Sequence, residues 1–233
     1  MTRLLLPLVL LAALLLPAPA HAEEPSMLFE NYAYGMARSE AEKIPGIKRG
    51  EGEMAGELIL EGVKWLDRLW NAKFIFDKDQ LIEISLIDRF SPEAVKAVRD
   101  QMKREQNQLV GIVLDDKAFD LFSLISAGGM EGFNARFNEL WNAKKAHSLY
   151  SRQYLSTREI SPEVLQRATN INQLLGMVES TIKETEMALI GDGEDPMPRY
   201  IIVSFTYPVL DVFRNPPEEL RGRLPQPAPE NAR

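Results

Sequence analysis

The chain has 233 residues, a formal net charge of −7, 45% hydrophobic and 26% charged residues, and no cysteine. That apolar share supplies a packed core for one or two ordinary domains. With this acidic balance no basic surface for nucleic-acid phosphates is evident and binding to anionic lipid head groups is disfavoured, and the lack of cysteine excludes disulfides, thiol chemistry and the acylated cysteine of bacterial lipoproteins.

Arg3 precedes an apolar run over residues 4–16, which Pro17 and Pro19 break and Ala20-His21-Ala22 closes. This is the form of a cleaved secretory signal over residues 1–22. The run is shorter than the roughly 18–20 residues that span a bilayer. The expected exported chain starts at Glu23 and is soluble, without stable membrane insertion. A bacterial periplasm is the expected compartment, and secretion is the alternative.

A short helix is expected over 38–44, ended by Pro45-Gly46, and a charged, glycine-rich loop over 48–56. Leu58, Leu60 and Val63 fall in one extended run. Trp70, Ala72, Phe74 and Phe76 alternate with Asn71, Lys73 and Ile75, and after the turn Asp77-Lys78-Asp79-Gln80 the residues Ile82, Ile84 and Leu86 alternate with Glu83 and Ser85. Period-two patterning on both sides of a turn predicts an antiparallel hairpin with one buried face. Ser91-Pro92-Glu93 predicts a helix start: serine caps, proline takes the first helical position, and the acid meets the positive end of the dipole. Val95, Val98 and Met102 mark its buried side. Two more helices are expected, one over 118–125 stopping at Gly128-Gly129 and one carrying Phe133, Phe137, Leu140 and Trp141. Ser161-Pro162-Glu163 repeats the start signal before a long stripe of Val164, Ala168, Ile171, Leu175 and Val178. Strands are expected over 149–156, 181–190 and 200–207, the last with Ile201, Val203, Phe205 and Tyr207 on one face. Five prolines and scattered charge make 214–233 a disordered tail.

Leu69-Trp70-Asn71-Ala72-Lys73 returns as Leu140-Trp141-Asn142-Ala143-Lys144. Duplication of an α/β unit competes with chance recurrence, because the first copy sits in a strand pattern and the second in a helix pattern.

Residues able to carry chemistry are sparse. With His21 in the signal, His147 is the one histidine of the exported chain. No Gly-x-Ser-x-Gly elbow supports a triad around it, so it is expected as a surface side chain near a helix C-terminus. One histidine does not make a zinc site. Asp192, Glu194 and Asp195 in a glycine-bearing loop lack the spacing of a calcium loop and are expected in a solvated turn. Glu184 and Glu186 are expected to face solvent, and Gly128-Gly129 with Gly132 is too sparse for a phosphate loop. The aromatic residues are assigned to core, with a ligand pocket lined by some of them as the alternative. No residue is assigned a catalytic, cofactor-binding or metal-ligating role, and no cofactor is expected.

Tyr34-Gly35-Met36 before a short helix, then Phe74-Ile75-Phe76-Asp77-Lys78-Asp79-Gln80-Leu81 across a hairpin turn, resembles small envelope α/β domains of the outer-membrane assembly lipoprotein type. The resemblance covers residues 31–88 and implies a non-catalytic, protein-binding role in the envelope. It transfers no binding residue, and the acylated cysteine of those lipoproteins is absent here.

The expected fold is α+β, antiparallel sheet with helices packed on one face. A unit over 28–90 holds the hairpin, and a helical unit with C-terminal strands runs over 91–213, either separate from the first or merged with it. The expected function is an exported soluble binding or assembly module of the bacterial envelope, acting on an envelope protein or a small ligand. The alternative is a periplasmic hydrolase that works with carboxylates alone.

Overall fold

Alternating residues become strands where one side can be buried, and this chain does so eleven times among its described residues. The computed structural model describes residues 26–51, 56–143, 145–156, 160–178 and 182–207. Strands β1 (Met27–Phe29) and β2 (Tyr32–Ala33) form a small ribbon, followed by helix α1 (Arg38–Ala41) and strand β3 (Ile47–Arg49). Then come β4 (Leu58–Trp65), β5 (Arg68–Asp77) and β6 (Gln80–Arg89), helix α2 (Pro92–Arg104), β7 (Asn107–Leu114) and β8 (Lys117–Asp120). Helix α3 (Leu121–Ala143) leads to β9 (Leu149–Ser156), the short helices α4 (Pro162–Arg167) and α5 (Ile171–Met177), and finally β10 (Glu184–Ile190) and β11 (Tyr200–Thr206). Strands β3 to β11 make one nine-stranded sheet in the order β3-β4-β5-β6-β11-β10-β9-β7-β8. Every neighbouring pair is antiparallel. The fold is α+β, as its patterning implied.

The β5–β6 hairpin turns through Lys78 and Asp79, both at positive φ (47° and 61°). Such two-residue turns match the right-handed twist of the strands they join. Trp70, Ala72 and Phe74 are almost fully buried on one side of β5 and meet Leu86, Ile201 and Val203 in the main core. Ser91 caps α2, its Oγ accepting the Ala94 N–H at 3.1 Å. Ala94, Val98 and Met102, four residues apart, then lie against that core.

Tyr34-Gly35-Met36 and the Asp77–Leu81 turn, distant in sequence, are tied together. The Gly35 N–H donates to the Leu81 carbonyl at 2.8 Å and the Leu81 N–H to the Met36 carbonyl at 2.9 Å. Gly35 sits at φ 82°, where a side chain would be strained.

Pairing of β6 with β11 joins residues of the 28–90 segment to residues of the 91–213 segment within one sheet. The expected signal over 1–22 and tail over 214–233 lie outside the described residues. No helix among the described residues is long and apolar enough to cross a membrane.

Several local expectations are corrected. The predicted helix over 118–125 is split: Lys117–Asp120 is strand β8, with Phe119 opposite Ile112. The glycine pair does not end a helix, because α3 continues through it. Two glycines cost about 2 kcal/mol relative to alanine in a helix interior, and the burial of Phe133, Phe137 and Leu140 against Ile112, Leu114 and Phe119 offsets that. The long helix after Ser161 is instead two short ones. Asn170 restarts the second, its side chain accepting the Gln173 N–H at 2.8 Å, in keeping with asparagine's preference for caps over helix interiors. Strand β7 had no counterpart in the sequence patterning. Of the repeated pentapeptide, Leu69–Lys73 lies in β5, whereas Leu140 to Ala143 lie in α3, so the two copies differ in secondary structure.

Candidate functional site

Helices α2 and α3 lie on the same side of the sheet. Strand register shows why. Ile112 and Leu114 of β7, which α3 covers, pair with Arg152 and Tyr150 of β9, and these share a strand side with Tyr154, a member of the core under α2. The two helices do not meet over β10. Between them a cleft opens with Leu189 of β10 and Phe90 of the β6–α2 junction on its floor. Its α2 arm has a volume of about 480 Å³ and its α3 arm about 340 Å³, and both arms share those two floor residues.

The α2 wall is basic. Lys96, Arg99 and Lys103 are spaced three and four residues apart and project along one side of the helix. Lys96 pairs with Asp100 at 2.6 Å, and that hydrogen bond holds the Asp100 carboxyl below the usual carboxylate range. The side chains of Arg99 and Lys103 make no hydrogen bond or ion pair among the described residues. Val95 and Pro92 complete this wall.

The α3 wall is aromatic. Trp141, 42% exposed, stands edge-on to Tyr150 with ring centroids 5.5 Å apart at 84°. Pro196 and Pro198 of the β10–β11 loop face them, and Lys145 sits at the rim. Of the aromatic residues, Trp70, Phe74 and Phe119 are core as expected, whereas Trp141, Tyr150 and Phe90 line the cleft.

His147 is not the surface side chain that its sequence context implied. It stays near the C-terminus of α3, but its side chain is only 10% exposed. Nδ1 lies 2.9 Å from Asp115 Oδ2, and Nε2 lies 2.9 Å from the Trp141 carbonyl. A carbonyl only accepts, so Nε2 carries a proton there. The ring also packs on Trp141, centroids 4.9 Å apart. Asp115 Oδ1 accepts from the Ser148 N–H at 2.9 Å and its hydroxyl at 3.0 Å. With both nitrogens committed, His147 is a brace that fixes the end of α3 and the Trp141 ring.

The Asp192 loop closes on itself. Asp192 Oδ1 accepts the N–H groups of Glu194 and Asp195, both at 2.9 Å, and Arg199 pairs with its other oxygen. The two backbone donors, Asp195 first, hold its carboxyl below the usual range. Among the described residues no group of three His, Asp or Glu side chains converges as a metal site. Glu184 and Glu186 lie on the sheet side opposite Met187 and Leu189, away from the cleft.

One ionisable group had no sequence signal. Lys183, at the start of β10, is largely buried, with Nζ 4.6 Å from the centre of the Phe205 ring. Burial pulls its pKa down to about 8, against a smaller opposing pull from Glu105. Glu105, Asn107 and Ser156 surround a small cavity beside it.

Comparison with protein-family models, with curated proteins and with solved structures returns no match.

Proposed function

We propose that this protein is an exported, non-catalytic binding or assembly module of the bacterial cell envelope, and that the cleft between α2 and α3 is where it binds. The observation that carries the proposal is the cleft itself. It joins an apolar floor of Leu189 and Phe90 to an exposed tryptophan and to Arg99 and Lys103, whose side chains make no hydrogen bond or ion pair among the described residues, and exposed aromatic and Arg side chains are the usual anchors of recognition surfaces. The signal-like pattern of residues 1–22, a basic start, a short apolar run and Ala20-His21-Ala22, supports export. The likeness of residues 31–88 to outer-membrane assembly lipoproteins supports an envelope role. Hydrolysis by carboxylates needs two of them about 5 to 9 Å apart, and the described residues lining the cleft include one carboxylate, Asp100, paired with Lys96.

The test is capture from a bacterial envelope extract with the exported chain as bait, read by mass spectrometry beside a bait carrying Trp141→Ala and Arg99→Glu. Species retained by the parent and lost by the variant are the expected outcome. Identical capture by both baits would refute the cleft as the site. N-terminal sequencing of protein from a periplasmic fraction, expected to begin at Glu23, checks the export.

A further inference from the structure

Independently of the cleft, we propose that Lys183 and the cavity beside it capture a short hydroxyaldehyde as an imine on the lysine amine. Four side chains line that cavity: Glu105 at the end of α2, Asn107 of β7, Ser156 of β9 and Lys183 itself. Its volume is about 160 Å³ and it opens to solvent. Liquid water takes roughly 30 Å³ per molecule, so a ligand of a few heavy atoms fits. The Lys183 amine makes no hydrogen bond or ion pair among the described residues, and Nζ lies 4.6 Å from the centre of the Phe205 ring. The Ser156 hydroxyl makes no hydrogen bond among them either.

The chemistry follows from what the amine meets. Burial opposes the ammonium form and brings its pKa down to about 8, so part of the amine is neutral near pH 7. Glu105 is the one charged side chain on the cavity wall; Asn107, Ser156 and the Phe205 ring carry no charge. A neutral amine is the form of lysine that attacks carbonyls. Condensation exchanges a buried ammonium for a neutral imine, so the burial that opposes charge favours the product. An anion is the wrong occupant, because Glu105 repels it. The Ser156 hydroxyl and the Asn107 side-chain carbonyl are placed to bond a hydroxyl of the ligand, which selects a hydroxyaldehyde over a plain alkyl one. In the step, the Nζ lone pair forms a C–N bond to the carbonyl carbon and the carbonyl oxygen takes up a proton. The nitrogen sheds its two hydrogens in turn, and the oxygen leaves with both as water while C=N forms. Glu105 carries these protons, as the carboxyl on the wall. No oxidant or further reactant is consumed.

The test offers glycolaldehyde to the exported chain with sodium cyanoborohydride, which reduces an imine to a stable secondary amine, and reads each lysine by peptide mass mapping. At pH 7 Lys183 is expected to be labelled at least tenfold faster than any other lysine. Its rate should be half-maximal near pH 8, while exposed lysines still climb toward 10.5. Glu105→Gln should slow the labelling at least fivefold, although loss of that negative charge by itself leaves more of the amine neutral and would speed it. Acetaldehyde, which has no hydroxyl, should label Lys183 more slowly than glycolaldehyde does, and Ser156→Ala should erase the difference. Without reductant, intact mass should show one adduct that dialysis removes and that Lys183→Met lacks. A circular dichroism melt checks that each variant folds. Labelling of Lys183 no faster than that of exposed lysines overturns the proposal. Protection of the amine by acetate with no imine overturns it too and makes the cavity an anion site. Equal labelling by both aldehydes, unchanged in Ser156→Ala, overturns the choice of a hydroxyaldehyde. Trp141→Ala should label like the parent, so failure here and failure of the cleft reading are told apart.

Discussion

Replacing Lys183 by methionine removes a buried charge while keeping most of its volume, and the effect on stability follows from one quantity. An exposed lysine titrates at 10.5, and burial beside Phe205 brings Lys183 down to about 8. At ~1.36 kcal/mol for each pH unit, the gap amounts to about 3 kcal/mol charged against the folded state. The sign is fixed by which state holds the proton. Below pH 8 both states carry the charge and the folded protein bears the whole penalty. Between 8 and 10.5 the unfolded chain binds a proton that the folded chain has released, so stability rises with pH through this window. Above 10.5 both states are neutral and the penalty is gone. Lys183→Met is therefore expected to stabilise the protein by about 3 kcal/mol at pH 7. The advantage shrinks steadily toward pH 10.5. Urea denaturation of parent and variant at half-unit steps from pH 6.5 to 10.5 measures it, and the difference between the two cancels every other titrating group. Equal stability at pH 7, or an advantage that does not shrink with pH, would refute the reasoning.

Phe74→Ala is expected to cost about 3–5 kcal/mol in chemical denaturation, because the ring is fully buried and stands edge-on to Tyr32 at 5.0 Å; a loss below about 1 kcal/mol contradicts the register of β5. His147→Ala leaves the Asp115 carboxylate, only 12% exposed, and the Trp141 carbonyl each short of a donor, and should lower stability by about 1–3 kcal/mol while shifting near-ultraviolet dichroism as Trp141 loses its ring contact. An unchanged tryptophan signal sinks the bracing role. Gly191→Ala would place a Cβ 2.6 Å from the His147 carbonyl oxygen, so the β10–β11 loop must move and its melting temperature should fall; a parent-like melt means the loop yields without strain.

The parts legible in the sequence were those whose local pattern and tertiary surroundings agree. In β5 and β11 one side is buried and the other is not, so alternation survives in the residues themselves. Ser91 and Ser161 cap helices through their own side chains, which needs nothing distant. Strand β7 shows the opposite case. A bulge at Val110 sends that side chain into the small core with Leu155 and Leu174, while Leu109 packs on the main core and Ile112 under α3. Helices cover both sides there, and a strand buried on both sides loses its period. The cleft was illegible for another reason. Phe90, Trp141 and Leu189 come from three elements far apart in the chain, and each has an ordinary local context. His147 looked solvent-exposed because its neighbours are lysines; Asp115, which makes it a buried brace, is 32 positions away. The surroundings of Lys183 likewise come from distant residues, the ring of Phe205 and the charge of Glu105, rather than from its sequence neighbours.

The place of β11 also governs the order of folding. It is the last strand of the described chain, yet it lies fifth in the sheet, between β6 and β10. Ser85 and Ser204 share a 2.8 Å hydrogen bond across that seam from 119 positions apart. Contacts of such long range are formed late, since the loop must close before pairing rewards it. The hairpins of β4 to β6 therefore wait with an unpaired edge until nearly the whole chain is present. For a polypeptide exported to the envelope as proposed, this arrangement would act as a timer: the sheet has no β6–β11 seam to close while β11 is still being made.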